Sequence, residues 1–257
     1  MTASRIIKQL RLVGTSEKAK ILLGFFRTGK GQYGEGDTFL GVTVPQQREI
    51  AKEFRSLPFG EIEKLLASPY HEARMTGLLI LTYAFDSADE GRRKDIYDFL
   101  LDHQVAMNNW DLVDVIAPKI VGEYLLHTHP SVLKPGQLPL KRRAGVQGER
   151  NGRKILYRFA KSADLWERRI AIVATFAFIR EGKFEDTLAI CEILLDDKHD
   201  LIHKASGWML REVGKRDEKT LRAFLDAHAS RMPRTMLRYA IERLSERERK
   251  VYLLRKR

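Results

Sequence analysis

Few side chains of this sequence are placed like parts of a reaction centre, and the sharpest pair lies in "NNWDLVDVIAPKIVGEYL", residues 108–125. Trp110 and Asp114 stand four apart, so on a helix their side chains project about 40° apart on one face. On the same wheel Leu112, Val113, Ile116, Ala117, Ile120 and Tyr124 form an apolar arc, with Trp110, Val121 and Asp114 along one edge. A carboxylate at the rim of a core is an odd placement unless something cationic comes to meet it. A sugar that is losing an N-linked base is such a cation. A fixed carboxylate stabilises its oxocarbenium-like transition state and orients the attacking water, and an aromatic face adds cation–π attraction. The plainer alternative is a helix cap or an ion-pair partner, the commoner use of an aspartate on a helix flank.

Two further constellations combine an aromatic with a cation. In "LWERRIAIVATFAF", from residue 165, Trp166 precedes Arg169 by three. In "HKASGWMLREVGKR", from residue 203, Trp208 precedes Arg211 by three. All three tryptophans of the chain therefore sit in segments with charged neighbours. Trp166 reads as a packed residue at a helix start. Trp110 and Trp208 read either as half-buried structural residues or as an open aromatic wall for a nucleotide, worth about 1–3 kcal/mol per stacked base. Other reaction centres are absent from the sequence. There is no G-x-S-x-G, no H-E-x-x-H, and no Cys/His spacing of a zinc site. No metal and no cofactor are expected, and Cys191, the single cysteine, has no disulfide partner in the chain.

The surrounding sequence reads as helix. Amphipathic segments recur at 3–12, 17–27, 46–56, 59–67, 71–85, 89–102, 109–126, 153–162, 166–181, 184–195, 200–214, 218–228 and 233–244, with short connections. A weak tetrad recurs with them: "RIAI" at 169, "KASG" at 204 and "RYAI" at 238, spaced by 35 and 34 residues, and "RMTG" at 74. Each places a basic residue two before a small one. A helix pair recurring at this period marks an all-α solenoid of HEAT or armadillo type, expected here as one domain over residues 1–257; the alternative is chance, since short degenerate tetrads recur easily in helical proteins. Stacked repeats would align Arg74, Arg169, Lys204 and Arg238 as a basic ladder in a concave DNA-binding groove, with Arg211 beside it. The alternative is that each is a solvated flank of its own helix.

Two stretches do not read as helix. Residues 31–45, "GQYGEGDTFLGVTVP", are glycine-rich without the Gly-Lys-Ser/Thr of a phosphate loop, and Pro45 is placed to open the next helix. Residues 134–154, "KPGQLPLKRRAGVQGERNGRK", carry six Lys/Arg against Glu149 between 141 and 154, and read as a mobile basic loop or an inter-repeat linker.

The net charge of +12 points to a polyanionic partner, nucleic acid before membrane. No apolar run is long enough to span a bilayer, and the basic N-terminus lacks the apolar region of an export signal. A monomer in a reducing cytoplasm is the expectation.

Taken in order, "YGEGDTFLGVTVP", "NNWDLVD", "LWERRIAIV" and "HKASGWMLREVG" resemble the AlkD-type DNA alkylation-repair glycosylases over roughly residues 17–245. That resemblance implies HEAT-like repeats and excision of cationic alkylpurines, chiefly 7-methylguanine and 3-methyladenine, from duplex DNA without base flipping. It places the motif's tryptophan and aspartate on Trp110 and Asp114, the cleft's second tryptophan on Trp208 and its groove arginine on Arg169. An N-terminal cleft aromatic falls on Phe25, or on Phe26 in the alternative register. The chain departs from the family's best-known members in its longer 134–154 segment. Its "YGEGD" loop marks a branch whose members need not share one substrate. A HEAT-repeat protein that binds unusual DNA structures without catalysis is the runner-up, and a protein-binding solenoid the third reading.

Overall fold

The computed structural model describes residues 1–128 and 152–255. The chain is all-α: among the described residues the only extended pairing is an isolated parallel bridge between Thr38 and Tyr70. It divides into two compact units, Met1–Ile116 and Ala117–Arg257.

The first unit holds α1 (Ala3–Val13), α2 (Ser16–Phe25), α3 (Val44–Glu53), α4 (Phe59–Leu66), α5 (His71–Asp86), α6 (Glu90–Asp102) and α7 (Trp110–Ile116). Helix α5 is its centre, packed by α1, α3, α4, α6 and α7. Its run from Ala73 to Thr82 is buried on every face, which is why its apolar pattern has no polar stripe. Helix α3 starts with a capping box, Thr43 to Gln46, and Pro45 lies in its first turn as the sequence suggested. The intervening glycine-rich stretch is strapped onto α5. The buried Glu72 carboxylate accepts from the backbone N–H groups of Leu40, Gly41 and Val42, and the His71 N–H donates to the Thr38 carbonyl at 2.9 Å. Gly41 makes this path possible: its φ is +80°, and a Cβ there would lie 2.0 Å from the Thr15 carbonyl oxygen.

The second unit opens with a π-helical turn, Ala117–Gly122, followed by α8 (Glu123–Thr128), α9 (Lys154–Phe159), α10 (Leu165–Ala174), α11 (Phe176–Arg180), α12 (Glu185–Ile193), α13 (Asp200–Gly214), α14 (Glu218–His228), α15 (Arg234–Ala240) and α16 (Glu246–Leu254). Helix α13 is central here, against α10, α14 and α15. Gly207 allows α15 to close on it, since a Cβ would stand 2.5 Å from the Met236 carbonyl oxygen.

Several sequence expectations change. The segment 109–126 is not one regular helix. The π turn containing Pro118 lowers the angle per residue, so Val121, expected at the rim, is buried, and Tyr124, expected in the core arc, is half-exposed. The segment 166–181 breaks at Thr175, whose hydroxyl donates to the Ile172 carbonyl. Helix α16 has no counterpart among the sequence segments, because Tyr252 is its one buried residue and the apolar pattern is correspondingly faint. Most of the basic stretch 134–154 lies outside the described residues. Its end does not, and Arg153 is a core residue: its guanidinium is 1% exposed, pairs with Asp186 at 2.6 Å and lies over the Phe178 ring.

The recurrent tetrads have a packing basis. Their small residues, Thr76, Ala171, Ser206 and Ala240, are all buried. The basic residues do not share one environment. Arg74 and Arg169 are buried, Lys204 is half-exposed and Arg238 is exposed.

Candidate active site

The start of α7 is where the candidate chemistry collects. Asn109 opens the helix: its carbonyl accepts from the Val113 N–H and its side-chain oxygen from the Trp110 N–H at 2.8 Å. Trp110 is half-buried, and Asp114 follows one turn later, also half-buried. The face of Trp110 lies near-parallel on Phe26, with ring centroids 5.5 Å apart. Phe26 is buried and packs in turn on Phe39 and on the His71 ring. Phe25 meets Trp110 edge-on at 5.9 Å and is 61% exposed. The two registers left open by the sequence therefore have different parts: Phe26 is the floor under Trp110, and Phe25 is the aromatic that faces solvent.

Below this aromatic layer lies a buried ionic cluster. The His71 Nδ1 stands 3.0 Å from Asp37 Oδ2, and its Nε2 stands 2.9 Å from Asp111 Oδ2. Asp37 also receives the Arg74 guanidinium and, at 3.0 Å, the Asn109 side-chain amide. Burial by itself would lower the His71 pKa, but the hydrogen bonds and charges of Asp111 and Asp37 outweigh it and raise the pKa to about 9. For Asp37 burial works the other way, and the donors His71, Arg74 and Asn109 outweigh it to hold the carboxyl below its ordinary range. At neutral pH two cations face two carboxylates. None of this was visible as a motif, because the partners of His71 lie 34 and 40 residues away. The one local signal is Asp111 itself, next to Trp110.

Arg74 is corrected by this arrangement. Its guanidinium is spent on Asp37 and on the Ser68 carbonyl at 3.0 Å, away from solvent, so it cannot serve in a surface ladder of phosphate contacts.

The remaining sequence candidates lie in the second unit. Arg169, on α10, is buried and donates to the Leu201 carbonyl at 2.6 Å. On α13, Lys204 pairs with Asp200 at 2.8 Å, Trp208 is half-buried with its ring centroid 6.0 Å from that of Phe176, and Arg211 pairs with Glu242. Arg238, on α15, is exposed. Phe176 was not singled out by the sequence. It also carries the Arg180 and Arg216 guanidinium groups, each 5.8 Å from its centroid. Among the described residues no three His, Cys, Asp or Glu side chains are grouped to hold a metal ion, and no helix is long and apolar enough to cross a membrane.

Fold and site together define an all-α protein with an aromatic face and a carboxylate on one helix, and basic side chains elsewhere on helices of the same chain. A model of the family described as DNA alkylation repair enzyme matches residues 6–137 and 140–244, and the chain belongs to that family. In fold it is similar to a solved structure described as a predicted DNA alkylation repair enzyme from Enterococcus faecalis. The TM-score is 0.64 at 16% identity, over 91% of this chain and 97% of that one. A comparison with curated protein sequences found no match.

Proposed function

We propose that the protein is a DNA glycosylase that hydrolyses the N-glycosidic bond of cationic alkylpurines, 7-methylguanine and 3-methyladenine, in duplex DNA without flipping the base. The observation that carries the reading is the start of α7, where a tryptophan seated on a buried aromatic floor is followed one turn on by Asp114.

In this reaction the bond from C1′ to the purine nitrogen breaks and its electron pair leaves with the base. An alkylated purine already carries a positive charge, so it departs neutral and needs no general acid. Positive charge passes to the deoxyribose, where Asp114 stabilises it and Trp110 adds cation–π attraction. Water then adds its oxygen to C1′, and its proton passes to Asp114 or to solvent. Trp208 is proposed as a second aromatic contact to the nucleotide. Phe25, Lys204, Arg211 and Arg238 are proposed contacts to the duplex, as is Arg169, whose buried guanidinium would first have to release the Leu201 carbonyl. Lys204 and Arg211 would exchange their carboxylate partners for phosphates. The protein is further proposed to act as a cytoplasmic monomer forming one HEAT-like repeat domain.

The test is base release from a duplex carrying a single 7-methylguanine, read by chromatography of the free base, with a uracil-containing duplex alongside. Release from the first and not the second is expected. Tight, salt-dependent binding without release from either would favour the non-catalytic DNA-structure binder instead.

A further inference from the structure

The cluster beneath Trp110 contains a histidine with an acceptor at each ring nitrogen. Asp37 and Asp111, when ionised, can only accept hydrogen bonds. A neutral imidazole has a single N–H and would therefore turn a lone pair toward one carboxylate. Only the imidazolium, with two N–H groups, satisfies both. The two acceptors are not equally held. Asp37 has Arg74 and Asn109 as further donors, whereas the other oxygen of Asp111 accepts from the Leu112 N–H of its own helix at 2.9 Å. The His71–Asp111 bond thus ties α5 to the second residue of α7, next to Trp110.

We propose that His71, as an imidazolium bonded between Asp37 and Asp111, is a positioning residue that pins the first turn of α7 and thereby sets Trp110 and Asp114 for the reaction. The proposal rests on the glycosylase reading for its consequence, though the pin itself does not. The groups facing the imidazole are Asp37 from the loop, Arg74 from α5, Asp111 and Asn109 from the start of α7, and the rings of Phe26 and Phe39. Glu72, its neighbour on α5, is turned to the amides of residues 40–42 and takes no part. Held by hydrogen bonds to Asp111 and Asp37, the proton is kept until about pH 9. Its loss leaves Asp111 facing a lone pair and frees the first turn of α7. The site would therefore be set at neutral pH and released in alkali, without any group titrating in contact with the DNA.

The test is a protein in which Trp166 and Trp208 are replaced by phenylalanine, so that emission reports Trp110 alone. A one-proton emission change with a midpoint near pH 9 is expected, together with a fall in the rate of base release by the wild-type protein, not in its duplex affinity, over the same range. Asp111→Asn is the decisive variant. Its amide can donate to a neutral His71, so the pH transition should vanish while emission at pH 7 stays close to that of the parent. His71→Gln should also abolish the transition and, if it folds, lower base release at every pH. A transition that persists in Asp111→Asn, or no transition between pH 7 and 10.5 in the parent, overturns the proposal. Absence of base release by the wild type at any pH would overturn the glycosylase reading, and the Trp110 emission would still decide whether the pin exists.

Discussion

Trp110 lies on Phe26 with ring centroids 5.5 Å apart, and Phe26 in turn meets the His71 ring at 4.9 Å. The candidate aromatic face is therefore not a loose surface tryptophan. It is the outer layer of a stack that ends in a buried ion cluster.

Phe25 and Phe26 should separate cleanly in mutagenesis. Phe26→Ala removes a buried ring from under Trp110 and is expected to cost about 3–5 kcal/mol of stability. Phe25→Ala removes an exposed ring and should change stability by no more than about 0.5 kcal/mol. If Phe25 contacts the duplex, its loss should weaken binding or base release all the same. Denaturant titrations beside binding isotherms check both halves.

Arg74 and Arg238 should differ just as sharply, although the sequence places them in equivalent tetrads. Arg74→Gln leaves Asp37 buried without its guanidinium and is expected to destabilise by about 3–5 kcal/mol, with the salt dependence of DNA binding unchanged. Arg238→Ala should leave stability within about 0.5 kcal/mol of the parent. If it meets a phosphate, the slope of log affinity against log salt should fall by about one.

That contrast shows what could be read from the chain and what could not. The helical class and the spacing of Trp110 to Asp114 are local properties, set by residues within one turn, and so were legible. The environment of Arg74 is decided by Asp37, 37 residues earlier in a glycine-rich loop, and nothing near position 74 announces it. The same holds for Asn109, whose amide meets Asp37 across 72 residues. Arg153 looked like part of a basic run because its partner, Asp186, lies 33 residues on. The rim position of Val121 failed for a different reason: one π turn at 117–122 is enough to shift the phase of a helical wheel.

The ion cluster fixes a pH dependence of stability. The His71 pKa is raised from 6.5 to about 9, so its contribution is complete below about pH 6.5 and is lost as pH rises through 9. Between those values stability should decline by at most about 1.4 kcal/mol per pH unit from this one proton. Asp37 is held below 3.8, and its contribution is lost only as pH falls below that value. Urea titrations of the wild type at pH 6, 7.5 and 9.5, beside His71→Gln, should show the two proteins converging at the alkaline end. A constant difference across that range would mean that His71 does not carry the charge.

Helix α13 offers a test of how the fold carries Trp208. Gly207→Ala would set a Cβ against the Met236 carbonyl, and the displacement of α15 is expected to cost about 1–3 kcal/mol. If Trp208 touches the nucleotide, base release should fall further than the stability loss alone explains, which single-turnover rates at low temperature can separate.

Asp114 is proposed to stabilise a sugar becoming cationic. This role is tested most directly by single-turnover release of 7-methylguanine from a duplex, comparing wild type with Asp114→Asn at equal protein and with duplex affinity measured in parallel. Release by the wild type, a loss of about 10²–10³-fold in the variant and an essentially unchanged affinity are expected. Equal release by the two proteins would contradict that role and remove Asp114 from the mechanism.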